Sequence, residues 1–206
     1  MLGDLRRKVL DFQPYLLLFS IVEDVFQKIL QLLEAIKDLN IPHLLGGVFP
    51  SSAPERCFEF PLVKMIGVGE GEKIIVEVSE AVRLNRSFHN IAGVWFRDKN
   101  GHLCKNPEGL VDINTVIPDY SLFDEKRFIR PMGGRIFKTL PVETYRGCPY
   151  LCTYCNSPDR VVSAREQNLG NFMRRKTLAN LREELRELVD QHSPELFFFV
   201  DDSFLA

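Results

Sequence analysis

Short apolar runs alternate with amphipathic stretches along most of this chain. Residues 14–19 are apolar and opened by a proline, which predicts a buried strand. Residues 23–39 predict a helix whose apolar face is Val22, Val25, Phe26, Ile29, Leu33 and Ile36. Residues 42–45 predict a second strand, ended by Gly46-Gly47, and residues 62–66 a third. The third leads through a glycine turn into a helix over 71–84. Strand–helix alternation implies parallel strands with helices on both faces of the sheet. Ligands of such sheets sit at the carboxyl ends of the strands, where Ser20, Gly46 and the turn from Gly67 to Gly71 fall.

The pattern changes over residues 91–112. Gly93-Val-Trp-Phe-Arg97 and His102-Leu-Cys104 flank Asp98-Lys-Asn100-Gly101, and Asn-Gly signals a tight hairpin turn. The segment that follows, from Ile117, reads as an irregular connector. Strand–helix rhythm resumes at Ile136, with an apolar strand over 136–145. Thr177 is a good N-cap for a helix over 178–191, with Leu178, Leu181, Leu185, Leu188 and Val189 as its apolar stripe. A strand over 195–201 follows. The expected organisation is a first domain over 1–88, a hairpin and connector over 89–135, and a second domain over 136–206.

The candidate chemistry is concentrated directly after the strand at 136–145. Cys148-Pro-Tyr-Leu-Cys152-Thr-Tyr-Cys155 places three cysteines within eight residues, spaced C-x3-C-x2-C. Three thiolates on one short loop can hold three irons of a [4Fe–4S] cube and leave the fourth open to a small molecule. The other reading is a zinc site, which needs a fourth protein ligand such as His192 or Cys104 folding back. Cys57 and Cys104 read as buried or incidental thiols. Gly147 lets the backbone turn sharply, and Arg146 precedes it.

The stretch Val142-Glu-Thr-Tyr-Arg-Gly-Cys148-Pro-Tyr-Leu-Cys152-Thr-Tyr-Cys155-Asn-Ser-Pro resembles the cluster loop of the radical S-adenosylmethionine (SAM) superfamily. That resemblance implies a loop after the first strand of a β/α barrel, with Cys148, Cys152 and Cys155 on a [4Fe–4S] cluster. It implies that SAM chelates the open iron and is cleaved reductively to a 5′-deoxyadenosyl radical. Tyr154 would pack near the adenine. Phe197-Phe-Phe-Val-Asp201-Asp202 resembles the second barrel strand, with Asp201 and Asp202 as candidate SAM contacts. A helix cap after a strand is the plainer reading of the two aspartates.

Upstream, the order of motifs resembles the cobalamin-binding branch of that superfamily. Leu16-Leu-Leu-Phe-Ser20-Ile-Val is similar to its strand and serine motif, with Val22 in place of Leu. Gly46-Gly47 followed by Ser51-Ser-Ala-Pro-Glu55 is similar to its Gly-Gly turn and helix. Gly69-Glu70-Gly71-Glu72 is similar to its Gly-Glu-Gly-Glu turn. The resemblance implies cobalamin contacts at Ser20, Gly46, Gly47, Gly69, Glu70 and Gly71, although Glu70 and Glu72 also suit a helix N-terminus through its dipole. The branch's Asp-x-His-x-x-Gly motif lies upstream of the serine, and residues 1–19 contain no His.

Composition narrows the function classes. Net charge is −2 with no Lys/Arg block, so nothing favours a nucleic-acid partner. The longest apolar runs are too short to cross a bilayer, and Met1-Leu-Gly-Asp-Leu-Arg-Arg does not open a secretory signal. Five cysteines, three of them tightly clustered, suit metal ligation in a reducing cytoplasm rather than cross-linking.

The fold class expected is α/β: a partial doubly wound (Rossmann-like, cobalamin-binding type) domain, then the first strand–helix–strand of a radical SAM β/α barrel. A complete eight-stranded barrel takes roughly 200 residues or more, and 70 follow Ile136. The chain therefore reads as the middle of a longer cobalamin-dependent-type enzyme. Such an enzyme takes a small-molecule or peptide substrate and a flavodoxin- or ferredoxin-type electron donor. The cofactors carry its chemistry and the protein positions them. The alternative is a non-catalytic metal-binding interaction module on an α/β scaffold.

Overall fold

The computed structural model describes residues 2–204, which divide into two compact units between Val111 and Asp112. The fold is α/β in both.

In the first unit, helix α1 (Leu2–Phe12) is followed by β1 (Leu17–Ser20), α2 (Glu23–Ile36) and a 3₁₀ turn (Lys37–Leu39). Then come β2 (His43–Gly46), α3 (Val48–Ser52), α4 (Pro54–Cys57), β3 (Met65–Gly67) and α5 (Gly71–Arg83). Strands β4 (Val94–Arg97) and β5 (Leu103–Lys105) close the unit. The sheet order is β1-β2-β3-β4-β5, parallel through β3 and antiparallel beyond it.

Strand periodicity explains how this sheet is covered on both faces. Leu45 and Ile66 face a core with Phe26, Leu33, Phe49 and Val63, whereas their neighbours Leu44 and Met65 face one with Ile74, Val78, Val94 and Phe96. On α2 the buried residues are Phe26, Leu30, Leu33 and Ile36. Val22 and Val25, expected on that face, are exposed, and Leu30 takes the place next to Phe26 in the seam. Helix α1 was not predicted. It buries only Val9 among its large apolar residues with described side chains, and Arg6 of this helix makes two 2.7 Å hydrogen bonds to Asp38.

The hairpin expected within an interdomain segment belongs to the first unit. Val94 and Phe96 are buried, and Met65, Ile66 and Gly67 of β3 pair with them and Trp95. A three-residue strand with both faces covered needs this backbone partner, so residues 91–111 extend the sheet instead of linking domains. The turn has the predicted chemistry: Asp98 Oδ1 accepts the amides of Asn100 and His102, both at 2.8 Å.

The second unit opens with three 3₁₀ turns, each started by an aspartate (Asp112, Asp119, Asp124) that accepts the amide two residues on. Strands β6 (Ile129–Met132) and β7 (Arg135–Val142) form a hairpin, followed by β8 (Tyr145–Arg146) and α6 (Ser157–Glu166). Strand β9 (Arg174–Arg175), α7 (Leu178–His192) and β10 (Leu196–Phe199) complete the unit. The main sheet runs β10-β7-β6, with β10 parallel to β7 through the α7 crossover. Leu140 and Val142 of β7 pack with Leu188 of α7 and Phe128.

Part of the expected connector is thus strand β6. Its Pro131 argues against a central strand but is tolerated on an edge. Thr177 caps α7 as predicted, accepting the Asn180 amide at 3.2 Å. The stripe on α7 is narrower than expected: Leu178 and Val189 are exposed, and the charged Glu184 is buried beside Leu188. Among the described residues no helix is long and apolar enough to cross a membrane.

Candidate functional site

In the first unit, the predicted ligand residues gather where parallel strands end. Ser20 and Gly46 are register partners at the last positions of β1 and β2. Gly47 follows at φ +97°, and a Cβ there would stand 2.8 Å from both the amide nitrogen and the carbonyl oxygen of Ile21. Only glycine permits that approach and that conformation together. Gly69, just beyond β3, donates its amide to Ser51 Oγ at 3.0 Å, which ties the glycine turn to α3. Nothing in the local sequence around Ser51 signals this contact, eighteen residues distant.

Glu70 occupies the N-cap position of α5, which starts at Gly71, and its Oε2 accepts the Val111 amide at 2.7 Å. Among the described residues that oxygen serves the unit's own backbone. A separate cleft of about 660 Å³ sits at the opposite strand ends, around His43, Met65, Phe88 and Phe96. Its ring nitrogen His43 Nε2 lies 3.0 Å from the Leu62 carbonyl, and burial pushes the imidazole pKa below its ordinary value.

In the second unit, the three cysteines lie on one loop directly after β8. Strand β8 pairs antiparallel with β9, Tyr145 opposite Arg175 and Arg146 opposite Arg174. The whole excursion from Gly147 to Met173, cysteines and α6 included, is therefore closed at its base. Gly147 turns into it at φ +100°, as the reading of that glycine expected, and a Cβ there would stand 3.2 Å from Phe172 Cδ1 and Met173 Cγ. Arg146 donates to both carboxylate oxygens of Glu143, at 2.9 and 2.7 Å.

Cys148 and Cys152 are half-buried and Cys155 is exposed, all as free thiols. The Cys155 amide donates to the Cys152 carbonyl at 3.2 Å, and the Ser157 amide lies 3.4 Å from Cys155 Sγ. Tyr154 is 91% exposed, and hydrogen bonding to Cys152 raises its phenol pKa. Among the described residues no three metal-ligating side chains stand ready around one point. The donor set of three accessible, uncrosslinked thiols on one loop suits an iron–sulfur cube.

Within the second unit, His192 lies on a separate element from the three cysteines. His192 ends α7 among the rings of Tyr120 and Phe128, with its Nε2 buried and without a hydrogen-bond partner among the described residues. Cys104 belongs to β5 of the first unit. Cys57 is fully buried, and burial pushes its thiol pKa up to about 11.

The two aspartates beyond β10 reach opposite flanks of the cysteine loop. Asp201 Oδ1 accepts the amides of Thr144 at 2.6 Å and Tyr145 at 3.0 Å, and Oδ2 accepts the Thr144 hydroxyl at 2.5 Å. Asp202 Oδ2 lies 3.4 Å from Ser157 Oγ, at the first turn of α6. Sequence reasoning passed over Thr144, Lys176 and Glu184. Lys176 donates its amide to the Thr144 carbonyl at 2.9 Å and buries its ammonium against Glu184.

No known protein-family profile matches the chain. It is 26% identical over 168 residues to an uncharacterised methyltransferase of Pyrococcus horikoshii, covering 80% of this chain and 34% of that protein. It is 22% identical over 191 residues to a cytidylyl-2-hydroxyethylphosphonate methyltransferase of Streptomyces wedmorensis, covering 77% and 34%. An anaerobic magnesium-protoporphyrin IX monomethyl ester cyclase of Synechocystis is 26% identical over 121 residues. The chain spans a quarter to a third of the length of these curated relatives.

Among solved structures, the cobalamin-dependent SAM radical enzyme OxsB, with aqua-cobalamin and SAM bound, superimposes with a TM-score of 0.71. The match is at 20% identity, over all of this chain and 28% of that one. The radical SAM methyltransferase TsrM from Kitasatospora setae gives 0.66 at 19% identity, over 98% of this chain and 40% of that one. The chain therefore shares its α/β fold with the corresponding parts of OxsB and TsrM.

Proposed function

We propose that this chain is part of a cobalamin-dependent radical SAM enzyme. The observation that carries the proposal is the C-x3-C-x2-C loop with three free thiols, seated beyond β8 in a fold shared with OxsB and TsrM. Cys148, Cys152 and Cys155 would hold a [4Fe–4S] cluster, which when bound would supply the electron for reductive cleavage of SAM to a 5′-deoxyadenosyl radical. Methyl transfer is the reaction class favoured, because the relatives include methyltransferases.

The chain's own residues provide position. The β8–β9 pair fixes the base of the loop, and Gly147 sets its direction. Tyr154, exposed beside Cys152, can lay its ring against an adenine. Ser20, Gly46, Gly47 and Gly69, with the backbone of Glu70–Gly71, would line a corrin at the ends of β1–β3. A reducing cytoplasm and a flavodoxin- or ferredoxin-type electron donor accompany this reading.

Anaerobic reconstitution with iron and sulfide tests it. The chain should take up about four irons per molecule, and its reduced spectrum should shift on SAM addition. Cys148→Ala, Cys152→Ala and Cys155→Ala should each abolish the centre, whereas Cys57→Ala and Cys104→Ala should leave it. Stoichiometric zinc retention with no response to SAM would replace this reading with a metal-binding module.

A further inference from the structure

Asp201 stands at the end of β10, where the resemblance suggests a SAM contact, yet its acceptor capacity is turned toward the protein. Three donors converge on its two oxygens: the amides of Thr144 and Tyr145 and the Thr144 hydroxyl. Thr144 is tied on its other side as well, since its carbonyl accepts the amide of Lys176, just past the returning strand β9. The carboxylate thus joins the end of β10 to the turn between β7 and β8, four residues before Cys148.

The neighbouring Asp202 marks the other flank. Its carboxylate approaches Ser157 Oγ, and the same Ser157 directs its amide at Cys155 Sγ. Amides hydrogen-bonded to a charged acceptor are held more tightly and more directionally than to a neutral one. Sub-ångström placement of ligating groups depends on such supporting contacts.

We infer that Asp201 is a positioning residue: it fixes the cysteine loop against the end of β10 and does not itself contact SAM. The inference rests on the reading of this loop as the cluster loop, and it separates the roles of two adjacent aspartates that the sequence offers together as SAM contacts.

The test uses the 206-residue chain with Asp201→Ala, Asp201→Asn and Thr144→Val. Amide exchange at Thr144 and Tyr145, iron and sulfide content after reconstitution, and the paramagnetic resonance of the reduced centre with and without SAM are read on each. Asp201→Ala should speed exchange of both amides by about tenfold or more, halve the iron content or worse, and broaden the resonance before SAM is added. Asp201→Asn should restore all three, because its Oδ1 still accepts both amides and the Thr144 hydroxyl can turn to accept from Nδ2.

Thr144→Val, which loses one of the three bonds, should fall between; it carries the test if Asp201→Ala does not fold. Unchanged exchange and unchanged iron content in Asp201→Ala, with loss of the SAM-induced shift alone, would overturn the inference and make Asp201 a SAM ligand. Failure of the asparagine variant alongside the alanine variant would overturn it too. If the wild-type chain takes up no cluster, the enzymatic reading fails, and with it any role of Asp201 toward that cluster. The exchange measurement then still shows whether Asp201 pins the loop.

Discussion

Lys176 and Glu184 form an ion pair inside the second unit, with Nζ 2.5 Å from Oε2 and side chains only 4% and 3% exposed. Glu184 Oε1 has no partner among the described residues. A buried pair contributes little net stability, but removing one member strands the other charge at a cost of about 3–5 kcal/mol.

Lys176→Met should therefore lower the stability of the second unit by about that amount, read as an earlier thermal or urea transition. Lys176→Met with Glu184→Leu should be much less damaging than the sum of the single changes. Additive losses in that double-mutant cycle would show that the two side chains do not interact.

Gly147 is the glycine most closely tied to the candidate site. Its φ of +100° is costly for any other residue, and a Cβ would stand 3.2 Å from Phe172 Cδ1 and Met173 Cγ. Gly147→Ala should cost about 1–3 kcal/mol and reduce cluster uptake along with it. Full iron content together with wild-type stability in that variant would show that the loop follows another path.

The contrast between these two sites shows what could be read from the chain. The cysteine spacing, the Asn-Gly hairpin, the Thr177 cap and the strand–helix alternation were legible because each is a local pattern with a local cause. Glu184 was not, because a polar residue on an apolar stripe reads as solvent-facing until its partner, Lys176 on another element, is known. Helix α1 and strand β6 were missed for a related reason. One buries little apolar surface and the other is an exposed edge, so neither carries a strong hydrophobic period. The division of work between Asp201 and Asp202 depends on contacts more than forty residues distant.

His43 predicts a pH dependence for the first unit. Burial depresses its pKa against the weaker, opposing effect of hydrogen bonding to backbone carbonyls. The unfolded chain, with an ordinary value near 6.5, binds a proton that the folded chain resists. Above about pH 6.5 neither state is protonated and stability is unaffected. As pH falls through that value stability is lost, until the depressed folded pKa is passed. Urea melts between pH 7.5 and pH 5 should show this fall, and His43→Gln should flatten it. Equal slopes in the two chains would assign the effect to other groups.

The outer edge of β10 predicts the behaviour of this chain in concentrated solution. Among the described residues β10 pairs only with β7, and the opposite edge of β7 is taken by β6, so no strand covers the outer edge of β10. Phe198 is 52% exposed, on the side of the strand away from the Leu140–Leu188 core, and Val200 beyond it is also exposed. An open edge next to wet aromatic side chains is a template for pairing between chains. Fully burying one Phe is worth about 1.5–3 kcal/mol, enough to favour association at high concentration. The chain should sediment as concentration-dependent oligomers, and Phe198→Lys should shift it toward monomer while leaving the β7–β10 pairing intact, because Phe197 and not Phe198 packs into that core. A wild-type monomer at high concentration would mean that the strand edge is protected by its own twist or by neighbouring side chains.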